Sequence, residues 1–333
     1  MDNRTATKEQ FLNRIGWARA LRYTLVGDAS NRRYERLRKE ETGECAILMD
    51  APPDKERNVK HFTFAAQHLL ALGLSAPQIF AEDCEQGFLL LEDLGNDLFS
   101  KFLQQQPAMQ SQLYKAAADA LIVLHNTPPP ELLVYDPELM VNLAALAFTE
   151  YRVAICGNCS TSIVDKFKMG FKPFLEEYTS GQEVMILRDY HAENLLWLPK
   201  REGVARVGML DFQDAMRGHP AYDLVSLLQD ARRNVPQYIE KETIDSYILE
   251  TSIGDDFRQA YILLGIQRNL RILGIFARLS THYFKQQYVN MIPRVWSYLL
   301  RDLENSELAD FSSFILSELP EPHSQALQRL RKE

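Results

Sequence analysis

Leu187-Arg188-Asp189-Tyr190-His191-Ala192-Glu193-Asn194, followed by Met209-Leu210-Asp211-Phe212-Gln213-Asp214, is the stretch that decides the fold of this chain. Asp189, Asn194 and Asp211 stand here at a spacing that suits phosphoryl transfer. That reaction needs one carboxylate near the acceptor hydroxyl and two oxygen ligands that hold Mg²⁺ against the phosphates. Asp189 fits the first requirement as the catalytic residue, and Asn194 and Asp211 fit the second as metal ligands. Turn and capping roles alone would not demand these residue types at both spacings at once.

Asp-x-His-x-x-Asn followed by Asp-Phe resembles the aminoglycoside phosphotransferase-like kinases, whose usual loop reads His-Gly-Asp-x-His-x-x-Asn. Arg188-Asp189 is also similar to the His-Arg-Asp loop of protein kinases. Leu187 stands in place of the usual first His. Gly218-His219-Pro220-Ala221-Tyr222-Asp223-Leu224 is similar to the Gly-x-Pro-x-x-Asp-Leu segment that follows the metal Asp in that family. Its Asp usually braces the catalytic loop, and the resemblance gives that structural role to Asp223.

The match extends further. Leu187 to Pro199, then Leu210-Asp211-Phe212-Gln213-Asp214-Ala215, then Tyr222 to Arg233, resembles the bacterial anomeric kinases of N-acetylmuramate and N-acetylglucosamine that serve cell-wall recycling. Gly27-Asp28-Ala29-Ser30-Asn31-Arg32-Arg33-Tyr34 matches as well, so the resemblance runs from residue 27 to beyond residue 290. It implies an α+β, two-lobed protein-kinase-like fold, with a small β-rich nucleotide-binding lobe over residues 1–93 and a larger helical catalytic and acceptor-binding lobe over residues 94–333. ATP and Mg²⁺ are the implied cofactors.

The chain has 333 residues, 46% of them hydrophobic, enough for two lobes with cores. Its 37 Lys and Arg against 45 Asp and Glu give a formal charge of −8, with no basic cluster interleaved with aromatics. Nucleic acid is therefore not expected as a partner. The N-terminus lacks an apolar leader segment, and no uninterrupted apolar run reads as long enough to span a bilayer, so no membrane association and a cytoplasmic location are expected. Of the four cysteines, Cys156 and Cys159 have ligand-like or redox-like spacing. Without a second Cys/His pair they read as incidental thiols rather than a zinc site.

In the first ninety residues, a helix is expected at 8–20, strands at 23–26, 34–37 and 45–49, a helix at 58–72, and a hairpin of 79–81 with 88–91. The polar turn Gly27–Arg32 can lay backbone N–H groups, those of Ser30 and Asn31 among them, over phosphates. The kinase scaffold carries a Lys on the third strand paired with a Glu on the following helix. Both are missing here, and Arg32, Arg33, Lys55 or Lys60 is the candidate replacement cation. By resemblance, Leu91-Glu92-Asp93-Leu94-Gly95 is the hinge, where the carbonyl of Glu92 and the N–H of Leu94 meet the adenine edge.

The rest reads as mainly helical, with Gln110–His125 ending before the triple proline Pro128–Pro130, two or three helices over 138–180, and a helix begun at Tyr222 that carries Arg232 and Arg233. His125 is expected to be a packing residue rather than a catalyst. From Phe257 through Arg294 there are six basic residues and no Asp or Glu. Phe257–Leu279 is apolar nearly all round, so Arg268, Asn269 and Arg271 are expected on a buried helix, where a guanidinium needs a partner. These arginines either brace protein carboxylates such as Asp223 or, with Arg232, face an anionic or hydroxyl-rich substrate.

The expected function is an ATP-dependent kinase of a sugar hydroxyl, C1 of N-acetylmuramate or N-acetylglucosamine foremost, with ATP and a small molecule as its partners. Aminoglycosides are polycations that want an acidic pocket, and the arginine-rich, acid-free stretch disfavours them. Two alternatives are a kinase of another small alcohol, such as a choline-like one, and a nucleotide-binding pseudokinase, which the missing Lys/Glu pair brings to mind.

Overall fold

The computed structural model describes residues 3–25, 32–52, 59–181 and 183–331. Ser30, Asn31 and Lys55, and with them most of the phosphate-loop turn, lie outside the described residues. The chain divides into two compact units: Met1–Val123 with Ala192–Ala215, and Leu124–His191 with Met216–Glu333.

The first unit is built on an antiparallel sheet. β1 (Leu21–Leu25), β2 (Arg33–Arg38), β3 (Cys45–Asp50), β4 (Ile79–Asp83) and β5 (Phe88–Glu92) stand in the order β1-β2-β3-β5-β4. Strand alternation sends Ala46 and Leu48 of β3 and Phe88 and Leu90 of β5 to one face. There they close a core with Phe11 and Leu12 of α1 (Asn3–Arg14) and with Trp17 after it. The rings of Phe11 and Phe88 stack 5.5 Å apart. α1 ends earlier than the expected 8–20, because the chain turns at Gly16 with a positive φ of 75°. β3 carries no Lys, and its last residue, Asp50, is buried and hydrogen-bonded by Arg4 Nε at 2.9 Å.

α2 (Val59–Ala71) follows β3, and α3 (Phe99–Gln105) and α4 (Gln110–His125) follow β5. The hairpin of β7 (Leu195–Trp197) and β8 (Val207–Met209) belongs to this same unit. It is tied to the stretch before α3 by Trp197 N donating to Asp97 O at 2.8 Å, and Ser100 N donates to Ala192 O at 3.0 Å. Packing therefore divides the chain later than residue 93.

The second unit comprises α5 (Pro137–Ala144), a π-helical turn (Ala147–Arg152), α6 (Val153–Cys156) and α7 (Thr161–Thr179). A short ladder of β6 (Val184–Ile186) and β9 (Met216–Gly218) comes next. α8 (Ala221–Leu228), α9 (Gln237–Thr251), α10 (Phe257–Tyr283), α11 (Ile292–Leu303), α12 (Ala309–Glu318) and α13 (Ser324–Leu330) complete it. α10 is the axis of this unit, 27 residues long and buried on nearly every side, as its apolar circumference predicts. Gly274 lets it approach the backbone of Leu146, where a Cβ would collide. Phe148, Phe167, Phe171 and Phe311 form a ring cluster, with Phe171 and Phe311 stacked at 4.8 Å.

By length and average composition the stretch Pro137–Cys156 is apolar enough to cross a membrane, although charged residues interrupt it. The π turn interrupts it with Glu150 and Arg152, and Met140, Val141, Phe148, Tyr151 and Ile155 are buried within the unit. These features describe a core helix.

Candidate active site

In the second unit, β6 delivers the chain to Leu187, Arg188 and Asp189. Arg188 adopts the left-handed conformation, φ 70°, which costs a non-glycine residue about 1–2 kcal/mol. The loop is held by Asp223 at the start of α8, a fully buried carboxylate. Leu187 N donates to one of its oxygens at 2.6 Å and Arg188 N to the other at 2.8 Å. His125 lies behind it, with Nε2 3.9 Å from Asp223 and Nδ1 2.8 Å from the hydroxyl of Tyr247, so it packs inside the unit as expected.

Asp189 is half-buried beside three arginines. Burial by itself would push its carboxyl upward, but the charges of Arg271, Arg268 and Arg188 outweigh burial and hold it below the ordinary carboxylate range. Arg268 and Arg271 come from one face of α10, three residues apart. Arg271 Nη1 donates to the hydroxyl of Tyr222 at 3.0 Å, and Arg268 Nη2 donates to Ser226 Oγ at 2.9 Å. Tyr222 and Ser226 are four residues apart on α8, so two helices present matched polar faces. Neither arginine has a described hydrogen bond to Asp223, whose oxygens are taken by backbone N–H groups, whereas the charges of both act on the carboxylate of Asp189. Burial raises the Tyr222 phenol, and Arg271, Arg268 and Arg188 together bring it below its usual value. The Arg188 guanidinium also sits over the ring of Tyr135, 5.6 Å from its centroid.

His191 is buried, which drives its pKa down to about 4 and keeps it neutral at physiological pH. Arg232 Nη1 approaches its Nε2 at 3.3 Å. A guanidinium only donates, so the imidazole proton sits on Nδ1. Arg232 is not on a helix as the sequence implied. α8 stops at Leu228, Gln229 leaves the helical region at φ −108° and ψ 51°, and Asp230 Oδ1 accepts from Arg232 N at 2.8 Å. Asn269 Nδ2 donates to Gln229 Oε1 at 2.7 Å, which turns it away from the two arginines' partners.

The first unit contributes the other half of the motif. Asn194 precedes β7 and Asp211 follows β8, and Leu210 N donates to Asn194 O at 2.9 Å, so the hairpin register fixes the two residues at its end. Asp211 is exposed and left-handed, φ 58°, and Gln213 Nε2 donates to its Oδ1 at 2.8 Å. Phe212 is buried against Phe62 of α2 at 4.9 Å, which anchors the backbone beside Asp211. These oxygen donors, one of them exposed, suit a hard cation that takes few protein ligands. The described residues hold no group of three His, Cys, Asp or Glu that could cage a metal alone.

Arg32 and Arg33 are separated by the structure. Arg33 begins β2 and points to solvent, whereas Arg32 hydrogen-bonds Tyr34, a phenol raised by burial that also feels the charge of Asp211. Arg32 thus belongs to the neighbourhood of Asp211. Lys60 is exposed on α2 near Cys84. Glu92 is ion-paired with Arg201, and Asp93 with Arg36 at 2.7 Å, so both acids are engaged within the unit and only backbone groups of 92–94 are left for the adenine role. Leu94 packs where a Cβ on Gly208 would lie, 3.2 Å from its Cδ1. Cys156 and Cys159 are free thiols. Tyr34, Tyr222, Asp230 and Gln213 carried no signal beyond their closeness to the motifs.

An N-acetylmuramate/N-acetylglucosamine kinase of Caulobacter vibrioides is 37% identical, with 89% of this chain and 91% of the relative covered. A kinase of the same name from Pseudomonas aeruginosa is 30% identical, with 92% and 91% covered. Among solved structures, a choline kinase from Streptococcus pneumoniae has a TM-score of 0.59 at 15% identity, covering 88% of this chain and 99% of that one, which places the fold among the α+β kinase-like folds. The family model described as the phosphotransferase enzyme family matches residues 24–251, and with these relatives it shows that the chain belongs to that family of phosphotransferase enzymes.

Proposed function

We propose that this phosphotransferase moves the γ-phosphoryl group of ATP to the C1 hydroxyl of an N-acetylated amino sugar, N-acetylmuramate or N-acetylglucosamine. The setting of Asp189 carries the proposal. Its carboxylate is kept ionised by the arginines around it, so it accepts a hydrogen bond from the acceptor hydroxyl and aims the oxygen at the phosphoryl group. A carboxylate held below its ordinary pKa is a weak base. Orientation is then its main part, which suits a loose transition state in which positioning and charge stabilisation dominate. Asp223 fixes the loop that carries it, and neutral His191, held by Arg232, fixes the loop's far side.

Asn194 and Asp211 would hold Mg²⁺, which when bound neutralises charge on the phosphates. Gln213 orients the Asp211 carboxylate for that task. Arg32 supplies the cation that the third strand lacks, a bidentate guanidinium in place of an ammonium. The amino sugar is supported by relatives of that printed name that cover nearly the whole chain, and by the acid-free, arginine-bearing α10.

Asp189→Asn tests the assignment. The variant keeps the fold and ATP affinity, and kcat falls by about 10²–10⁴, the range for a positioned acid–base group. Near-normal turnover would remove Asp189 from the mechanism.

A further inference from the structure

Four guanidinium groups, those of Arg188, Arg232, Arg268 and Arg271, act on Asp189, His191 or Tyr222, while the carboxylates in the same neighbourhood are Asp189, Asp223 and Asp230. Asp223 is already taken up by two backbone N–H groups. A buried guanidinium without an acceptor is costly. Of these four arginines Arg268 is the buried one. It is only 4% exposed, and its one described hydrogen bond goes from Nη2 to the neutral hydroxyl of Ser226. Nε and Nη1 are buried with no acceptor among the described residues. Arg271 donates to the hydroxyl of Tyr222, and its charge, like that of Arg268, acts on Asp189.

We propose that Arg268 is the specificity-determining residue that reads negative charge on the acceptor, its unpartnered Nη1–H donating to a carboxylate oxygen. The inference rests on the amino-sugar reading above. N-acetylmuramate carries a lactyl carboxylate where N-acetylglucosamine has a hydroxyl, so the two sugars differ in the group this arginine would bind. A charged N–H donor binds a carboxylate oxygen about twice as strongly as a neutral hydroxyl, so one such contact separates the two sugars.

The test compares kcat/KM for N-acetylmuramate, its lactyl amide and N-acetylglucosamine, with ATP held saturating. In the wild-type protein the acid should exceed its amide by about ten- to a hundredfold, the usual range for a charge-assisted hydrogen bond. Arg268→Met should lower kcat/KM for the acid at least about tenfold more than for its amide or for N-acetylglucosamine, and Arg268→Lys should restore part of the difference. The KM for ATP should not move. The wild-type comparison needs no variant, so a folding defect in R268M, visible in its melting curve, leaves the test intact. An amide as good as the acid overturns the inference. So does a variant that loses both sugars equally, because Arg268 would then serve the transferred phosphoryl group or the scaffold. Turnover of none of the three compounds by the wild-type protein removes the amino-sugar reading and this inference with it, whereas turnover without preference removes the inference alone.

Discussion

Replacing Asp223 by asparagine perturbs one side chain and two backbone groups at once. The carboxylate accepts from Leu187 N at 2.6 Å and from Arg188 N at 2.8 Å and is fully buried. An asparagine of the same shape has a single acceptor oxygen, so one N–H loses its partner and faces an NH₂ group instead. Losing one charge-assisted hydrogen bond and leaving a buried donor unpaired costs about 2–4 kcal/mol. In a chain of this size that lowers the melting temperature by roughly 3–10 °C. The strained Arg188, φ 70°, is released at the same time, and the loop bearing Asp189 shifts. A displacement of about 1 Å can reduce turnover by ~10²-fold, so kcat should fall well beyond what lost stability explains at a temperature where the variant is folded. Differential scanning calorimetry and initial rates at saturating ATP measure both effects. A variant that melts within 1 °C of wild type, taken as about the resolving power of a ΔΔG argument, and turns over normally would refute the idea that these bonds hold the loop.

Two further outcomes follow from other parts of the structure. Burial raises the carboxyl of Asp302 to about 7, against a partly compensating Arg301 and a hydrogen bond from Gln229 at 2.9 Å. Between the ordinary carboxylate value and 7 the unfolded chain is ionised there while the folded one holds its proton. Stability should therefore decline as pH rises through that window, the full penalty standing above 7, and melting curves of Asp302→Asn should lack this slope. Arg32→Ala should raise the KM for ATP without changing that for the acceptor, whereas Arg33→Ala, at an exposed strand position, should change neither; equal effects of the two would erase the distinction that Tyr34 draws.

The candidate catalytic stretch is legible in the sequence because its pattern is local: the residues from Asp189 to Asn194 and the pair at Asp211 and Phe212 are set by spacing along the chain, and β7 and β8 only close the hairpin. The sheet was legible for the same reason, since alternation in β3 and β5 reports directly which face is buried. What the chain text does not contain is partner choice at a distance. Arg268 and Arg271 were visible as buried cations, but their hydroxyl partners on α8 depend on how two helices pack. The stop of α8 at Leu228 depends on Gln229, whose side chain is tied to Asn269 and Asp302. Arg32 and Arg33 are adjacent in sequence, and only the register of β2 tells which one faces Tyr34's neighbourhood. The apolar run 137–156 was passed over because Glu150 and Arg152 break it, although its average still resembles a membrane span.

The central claim is chemical, and product analysis tests it most directly. Purified protein with ATP, Mg²⁺ and N-acetylmuramate or N-acetylglucosamine should yield a sugar phosphate whose ³¹P signal couples to the anomeric proton. Phosphate found only at C6, or only on a cationic aminoglycoside, would contradict the proposed acceptor while leaving the phosphotransferase family intact.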